Sequence, residues 1–128
     1  MSEIRQGEVY WIDFGPATGS APAERYPCVI VQSDLFNRSL IATTVVCVIT
    51  SNLSRSRAPG NVTLKKGDGG LPRASMVNVT QILTVDKGDL AERIGILPAA
   101  TIDAIRGGLQ LLLDRVYPAG SGVRQRTN

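Results

Sequence analysis

The sequence predicts a mainly β fold, a small and strongly curved antiparallel sheet or barrel with one helix at its C-terminal end. Three observations support this class. Short apolar segments bounded by Gly, Pro and Ser fill most of the chain, a helical period appears only near its end, and 128 residues are enough for one domain. We expect this domain to span residues 1–116 and residues 117–128 to form a disordered tail.

Alternation and apolar runs predict the first strands. The side chains of residues 8–14 alternate between the two faces of a predicted strand and are rich in β-forming types. A loop of small residues at 15–24 follows and begins with Gly15-Pro16, a pair that ends strands. Pro27 opens the second strand, which runs to residue 31, because proline is tolerated at the first position of a strand. Ser33 and Asp34 then predict a cap for a single helical turn.

Further strands are predicted in the middle of the chain. Residues 43–50 are almost all β-branched or apolar, which is typical of a strand buried on both faces. Residues 51–60 are polar and basic and end in a Pro-Gly turn signal. Three shorter strands are predicted at residues 61–65, 75–79 and 81–85.

One amphipathic helix is predicted from about Pro98 onward. Its apolar stripe has the helical period and consists of Ile102, Ile105, Leu109, Leu112 and Val116. Gly107 and Gly108 interrupt it, either as a weak point or as a site of close backbone approach. Leu111 and Leu113 widen the apolar face beyond what one sheet needs, which favours a contact between subunits.

The composition excludes several kinds of site. The chain has no His and two Cys, so a Ser–His triad, a His-ligated metal and a disulfide framework are all excluded, and we expect no metal and no cofactor. No segment approaches the ~20 apolar residues of a membrane span, and the N-terminus is too polar for a signal peptide. We therefore expect a cytoplasmic protein with reduced thiols and no membrane association. Cys28 and Cys47 are expected to be inert and buried.

Basic residues concentrate in one segment. Residues 51–75 hold five of them, including Arg55 and Arg57, against the single acid Asp68. Such a cluster is either a solvated loop or the electrostatic footprint of a polyanion such as RNA.

Strand pairing predicts where polar groups meet. If the strand that starts at Pro27 pairs antiparallel with the strand that ends at Thr50, the start of one lies beside the end of the other. This pairing places the segment before Pro27 beside the end of the other strand: Glu24, Arg25 and Tyr26 lie next to Thr50, Ser51 and Asn52. A guanidinium, two hydroxyls and an amide beside a basic loop form a phosphate site that needs no metal.

At these residues the chain resembles a known family. Five segments occur in order, as in the MazF/PemK toxins, and they are GEVYWIDFGPATGS, ERYPCVIVQSD, VVCVITSNL, PGNVTL and QILTVDKGDL. The family consists of ribosome-independent endoribonucleases of toxin–antitoxin systems. The resemblance implies a PemK/CcdB-like fold, a small SH3-like twisted barrel with a C-terminal helix, and a homodimer. It also implies sequence-specific cleavage of single-stranded mRNA and an antitoxin partner whose disordered acidic segment occupies the RNA groove.

The resemblance suggests catalytic residues. Activity in the family depends mainly on an Arg before the second strand and on a Thr or Ser that ends the third, and Thr50 matches the second position. The Arg commonly stands directly before the Pro, a position that Tyr26 occupies here, so Arg25 is our candidate one residue earlier. Some members carry an Asp before the Gln of an Asp-Gln motif, and Thr80 stands there in this chain.

Metal-free RNA cleavage would use the ribose 2′-OH as nucleophile and give 2′,3′-cyclic phosphate and 5′-OH ends. Fixed donors aimed at the phosphoryl oxygens are worth about 3–4 kcal/mol each. Arg25 and Thr50 are the candidate donors, with Ser51 as a possible helper. The base that removes the 2′-OH proton stays open between Glu24 and Tyr26, because arginine is a poor base.

Other residues have two interpretations. Trp11 is expected in the core and Tyr10, on the opposite face of its strand, is the candidate to stack an RNA base. Asn78 and Gln81 either recognise base edges or satisfy the local backbone. Two alternative functions also stay open: a CcdB-like gyrase-binding toxin, and a catalytically weak relative that binds RNA or antitoxin.

Overall fold

The computed structural model of the chain describes residues 3–15, 24–55 and 58–115. Within these ranges one six-stranded antiparallel sheet has the strand order β4-β5-β3-β2-β1-β6. The elements are β1 (Glu8–Gly15), β2 (Glu24–Ile30), α1 (Asp34–Asn37), β3 (Thr43–Thr50), β4 (Val62–Leu64), β5 (Ser75–Asp86), β6 (Leu90–Ile96) and α2 (Ala99–Leu113). The predicted fold class is therefore confirmed. The predicted tail at 117–128 lies outside the described residues.

The structure corrects two predicted strand boundaries in the second half. The two predicted strands at 75–79 and 81–85 are one continuous strand, β5. Its pairing with β3 slips between two adjacent residues, because Cys47 lies opposite Ile82 and Val48 lies opposite Asn78. This bulge bends β5, which explains why one long strand resembles two short ones in sequence. Strand β6 was not predicted, since it is a mostly exposed edge strand with weak apolar alternation.

Strand β2 begins earlier than predicted, and its proline explains how its partners change. The ladder between β2 and β3 includes Cys28 through Ile30, whereas the ladder between β2 and β1 continues to Glu24. Pro27 lacks an N–H group, so it suits the point where β2 stops pairing with β3. The ends of β2 and β3 beyond Pro27 are therefore adjacent but unpaired, and two surface cavities open there.

Each face of the sheet carries its own small core. We call the face that packs against α2 the helix face, and Val29, Ile49 and Ile105 are buried on it. The other face, which we call the second face, buries Cys28 and Val48. Successive residues of a strand point to opposite faces, so a one-residue change in position along β2 moves a side chain from one core to the other.

Helix α2 approaches the turn before β4 through two glycines, one from each segment. A Cβ atom added at Gly108 would contact the backbone of Gly60, and Gly60 itself has a left-handed φ of 81°. The close backbone approach that the sequence left open is therefore the correct interpretation of Gly108. Gly107 has open space around its Cα and is exposed, so it only lowers the stability of the helix.

The two adjacent glycines should respond in opposite ways to alanine. Gly107→Ala is expected to raise the free energy of unfolding by up to about 1 kcal/mol, because alanine is the better helix former. Gly108→Ala is expected to lower it by about 1–3 kcal/mol, because the new methyl group would push against the Gly60 backbone. Urea denaturation of both variants measures this difference. Equal effects of the two substitutions would contradict the close approach.

Stability should fall at alkaline pH because two thiols are buried. Cys28 and Cys47 are fully buried, and burial raises the pKa of each thiol from 9.0 to about 12. The unfolded chain releases these protons near pH 9 and the folded chain does not, so the stabilisation is complete below pH 9 and is lost as pH rises towards 12. Urea denaturation across this range should show the decline. The double variant Cys28→Ala/Cys47→Ala is expected to flatten it, and an unchanged slope would refute this cause.

Candidate functional site

The predicted pairing of the second and third strands is confirmed. Cys28 lies opposite Val48 in the antiparallel ladder, and continuing this register places Tyr26 beside Thr50 at the unpaired end. Two cavities open at this end, one on each face of the sheet. Tyr26 and Thr50 line both of them. This pair is therefore the rim that the two cavities share.

The cavity on the second face holds amides and aromatic rings. Its volume is about 420 Å³, and we call it the glutamine cavity because Gln81 lines it. Phe14 and Tyr26 form a tilted ring pair there, with ring centroids 6.0 Å apart. Among the described residues that line this cavity, Glu24 is the only charged one. Asn52 supplies a second amide beside that of Gln81. Aromatic faces and amides are the groups that recognise unstacked nucleobases.

The cavity on the helix face holds the positive charge. Its volume is about 360 Å³, and we call it the arginine cavity because Arg25 and Arg73 line it. Ser51 and Ser75 add hydroxyl groups, and no acid is among the described residues that line it. Guanidinium and hydroxyl groups together suit a phosphate ester.

The guanidinium of Arg25 is positioned by the neighbouring strand. Its central carbon lies 5.1 Å from the ring centroid of Trp11, and its Nε lies 3.6 Å from a carboxylate oxygen of Asp13. Both charged side chains are at least half exposed, so this ion pair is weak and leaves the guanidinium accessible to another anion. The stack on Trp11 restricts its orientation.

Strand alternation separates the two predicted catalytic residues. Thr50 follows Val48 by two positions and so faces the second side of the sheet, whereas Arg25 shares the helix face with Val29. Tyr26 lies on the same face as Thr50, and it stands at the position where the family that the chain resembles commonly has its Arg. The two predicted catalytic residues meet only at the shared rim, where both line the arginine cavity.

The hydroxyl of Thr50 is held by the turn that follows β3. The backbone N–H of Asn52 donates to Thr50 Oγ1 at 3.1 Å. The side-chain oxygen of Asn52 in turn accepts hydrogen bonds from the backbone and hydroxyl of Ser54, at 3.2 and 2.7 Å. The hydroxyl proton of Thr50 has no acceptor among the described residues, so it is available to a ligand.

The structure shows that two predicted binding residues, Tyr10 and Asn78, are buried. Tyr10 is only 8% exposed and donates to Glu8 at 3.1 Å, and its burial raises its pKa to about 12, so it belongs to the core and does not stack a base. Trp11 is half-buried and lines the arginine cavity, so it is the more accessible of the two aromatics. Asn78 is buried and bonded to its neighbours, while Gln81 is exposed.

The structure also shows cavity residues that sequence analysis missed. Arg73 and Ser75 were not assigned to the site, although Arg73 belonged to the basic segment, because only the fold brings the segment before β5 beside β2. Phe14 was missed as well, and its place at the end of an alternating strand was the available signal. The predicted residue Arg57 and the side chain of Arg55 lie outside what the structure describes.

Neither a cluster of metal ligands nor a membrane-spanning helix is present in the described ranges. No group of three or more Cys, Asp or Glu residues comes close enough there to hold a metal ion. No described helix is long and apolar enough to cross a membrane.

The comparisons with known proteins decide the family. Residues 5–113 match the family model of PemK-like, MazF-like toxins of type II toxin–antitoxin systems. The chain belongs to this toxin family. The resemblance found in the sequence is thus confirmed, and the match covers most of the chain.

Relatives within the MazF/PemK family include named enzymes. The endoribonuclease MazF6 of Mycobacterium tuberculosis is 46% identical over 111 residues, which are 87% of this chain and 97% of that protein. The endoribonuclease EndoA of Bacillus subtilis is 30% identical over 86% of this chain and 94% of its own. The predicted enzyme class, an endoribonuclease, is the class that these relatives carry in their names.

Solved structures of MazF-type proteins share the fold. A mycobacterial endoribonuclease in complex with its cognate antitoxin superposes with a TM-score of 0.72 at 27% identity, covering 90% of this chain and 99% of that one. The MazF of Deinococcus radiodurans superposes with a TM-score of 0.68 at 24% identity, which supports the fold alone.

Proposed function

We propose that this member of the MazF/PemK family is a sequence-specific endoribonuclease that cuts single-stranded mRNA without a metal ion. It attacks through the ribose 2′-OH and leaves 2′,3′-cyclic phosphate and 5′-OH ends. The observation that carries the proposal is the shared rim, where Thr50 and Tyr26 line both cavities. Two buried free thiols agree with action in the reducing cytoplasm.

The two cavities divide the work of RNA binding. Bases enter the glutamine cavity, whose amides and aromatic rings can stack and hydrogen-bond them. The sugar–phosphate backbone crosses the rim towards the arginine cavity, where Arg25 and Arg73 supply positive charge. A single strand that enters both cavities has to pass Thr50, so the scissile phosphate lies at this residue.

The rim supplies the groups that the transition state needs. Attack by the 2′-OH adds negative charge to the phosphoryl oxygens, and fixed donors stabilise this charge. The free hydroxyl proton of Thr50 donates from one side and the guanidinium of Arg25 approaches from the arginine cavity. Ser51, which lines the same cavity, helps to hold the phosphate.

The 2′-OH must also lose its proton. Glu24 lies on the glutamine-cavity side of the rim, together with Thr50, and is the only carboxylate among the described residues that line either cavity. We therefore assign it the role of general base, in preference to Tyr26.

Removing either donor should abolish most of the cleavage. Thr50→Ala and Arg25→Ala are each expected to slow the cutting of a long RNA by about 10²–10³-fold in the presence of EDTA, because each removes a fixed donor to the phosphate. Sequencing of 5′-OH ends maps the cuts. Arg38→Ala is the matched control, since Arg38 is exposed and its one ion pair with a described residue is with Glu3, at 3.7 Å.

Exchanging two neighbours tests which face carries the guanidinium. The double variant Arg25→Tyr/Tyr26→Arg keeps the composition and moves the guanidinium to the face of Thr50, so we expect slower cleavage. Cleavage at or above the rate of the unmodified chain would place the guanidinium in the glutamine cavity instead.

Cuts that need magnesium would refute the metal-free mechanism, and intact RNA with arrested gyrase would favour a CcdB-like toxin. Intact RNA with active gyrase would leave a protein that only binds RNA or antitoxin.

We also propose that the protein is a homodimer whose antitoxin partner lays an acidic, disordered segment along the RNA site. The positive charge of the arginine cavity suits such a segment. Large hydrophobic side chains at the end of α2 are exposed. Leu111 (38%) and Leu113 (74%) belong to the predicted widened face, and Leu112 (40%), which was expected in the core-facing stripe, is exposed as well. Such an apolar surface is typical of a subunit contact.

A charge on this surface should separate the subunits. Leu113→Lys is expected to shift the mass measured by light scattering at micromolar concentration from dimer to monomer, because it places a charge in an apolar contact. Leu40→Lys is the control, since Leu40 is fully exposed in the loop before β3. A monomeric unmodified chain, or a dimer that tolerates Leu113→Lys, would contradict this interface.

A further inference from the structure

We propose that Asn78, which is buried and does not line the cavity, fixes the amide of Gln81 so that only its NH2 group faces the glutamine cavity. This orientation selects an RNA base with a carbonyl group at that position, namely uracil or guanine. The inference rests on the proposed function, because it assigns base selection within the same RNA site. Asn78 acts as a positioning residue and Gln81 as the residue that contacts the base.

The orientation of Asn78 follows from a backbone donor. Asn78 is 2% exposed. Its Oδ1 accepts hydrogen bonds from the backbone N–H of Thr80 at 3.3 Å and from the hydroxyl of Thr80 at 2.8 Å. A backbone N–H can only donate, so the atom of Asn78 that faces Thr80 must be the oxygen. The NH2 group of Asn78 then has to point the other way.

The same logic fixes the next amide. Asn78 Nδ2 donates to Gln81 Oε1 at 3.0 Å. A donor can be satisfied only by an oxygen, so this contact determines which end of the Gln81 amide faces the protein. Gln81 Nε2 remains, and no described residue accepts a hydrogen bond from it. Since Gln81 is exposed and lines the cavity beside Thr50, this NH2 group is presented to a ligand.

The bulge in β5 aims Gln81 at the cavity. The pairing of β3 with β5 jumps from Asn78 to Ile82, so residues 79–81 lie outside the regular register. Bulges redirect side chains and are frequent next to functional sites. Thr80 and Gln81 therefore form a short loop around Asn78, whose side chain bonds to both of them.

A fixed NH2 group distinguishes two kinds of base. Uracil and guanine carry a carbonyl oxygen at the exocyclic position where cytosine and adenine carry an amine. The NH2 group of Gln81 donates a hydrogen bond to the carbonyl oxygen. Opposite an amine, two donors would face each other and no hydrogen bond would form. A free Gln could turn its amide over and accept from the amine, but Asn78 Nδ2 would then lose its acceptor in a buried place.

Mapped cut sites in a long RNA provide the test. For the unmodified chain we expect an excess of U and G over C and A at one position beside the cut, by about three- to tenfold for a single hydrogen bond. Gln81→Glu keeps the shape, still accepts from Asn78 Nδ2, and presents an oxygen to the cavity. The preference at that position is expected to invert towards C and A.

Substitution of the positioning residue should have the same effect from outside the cavity. Asn78→Asp offers only acceptors, so Gln81 should turn its NH2 group inward and its oxygen towards the cavity, which also inverts the preference. The preference should disappear in Gln81→Ala and should not be changed by adding Asn78→Asp to it. Thr80→Val is the control, because it removes the hydroxyl bond but keeps the backbone N–H that orients Asn78. A purely structural role of Asn78 would change the rate or the stability without changing the base preference.

The outcomes separate this inference from the proposed function. If the unmodified chain does not cut RNA, the proposed function fails and this inference fails with it. If the chain cuts RNA but Gln81→Glu leaves the base preference unchanged, the inference is refuted and the proposed function stands. If Asn78→Asp does not fold, as circular dichroism would show, Gln81→Glu still decides the inference. A Gln81 amide that turned over freely would show no preference for U and G in the unmodified chain, so there would be none for Glu to invert.

Discussion

The proposed site depends on the missing N–H group of Pro27. The ladder between β2 and β3 ends at Cys28, one residue after it, although β2 itself continues to pair with β1. The strand ends are thus held side by side without closing on each other, and Tyr26 and Thr50 border an opening on each face. A residue with a backbone donor at position 27 could extend the ladder across this opening, so the cavities follow from a constraint of the backbone.

The period of two along each strand then distributes the chemistry. Arg25 lies on one face and Glu24 and Tyr26 lie on the other, because neighbours in a strand point in opposite directions. Positive charge is collected in one cavity and amides and rings in the other, so under the proposed function the two parts of a nucleotide would contact different surfaces. If Arg25 and Glu24 shared a face, they would attract each other at close range and form an ion pair. The sheet between them prevents this.

Sequence patterns predicted the local elements well and the long-range relations less well. The strand from Thr43 to Thr50 and the start of α2 follow from composition and period, since both are local properties. Strand β6 could not be predicted, because an exposed edge strand needs no apolar pattern. The position of Arg73 beside Arg25 depends on how distant segments pack, which no local pattern specifies. Alternation places Tyr10 on the same face as its partner Glu8, but it does not show that this face is covered by a second core.

The bulge at Asn78 interrupts a ladder as Pro27 does, but it acts on side chains. A break in pairing leaves backbone groups to satisfy, and Asn78 satisfies the N–H of Thr80 with its own oxygen. Once this bond forms in a buried place, the rest of the amide has no freedom, and the bond to Gln81 passes the same orientation to the cavity surface. The solution to a structural problem, an unpaired amide at a bulge, thereby determines which hydrogen-bonding group the cavity offers. This link explains why specificity in such a site can depend on a residue that no ligand touches.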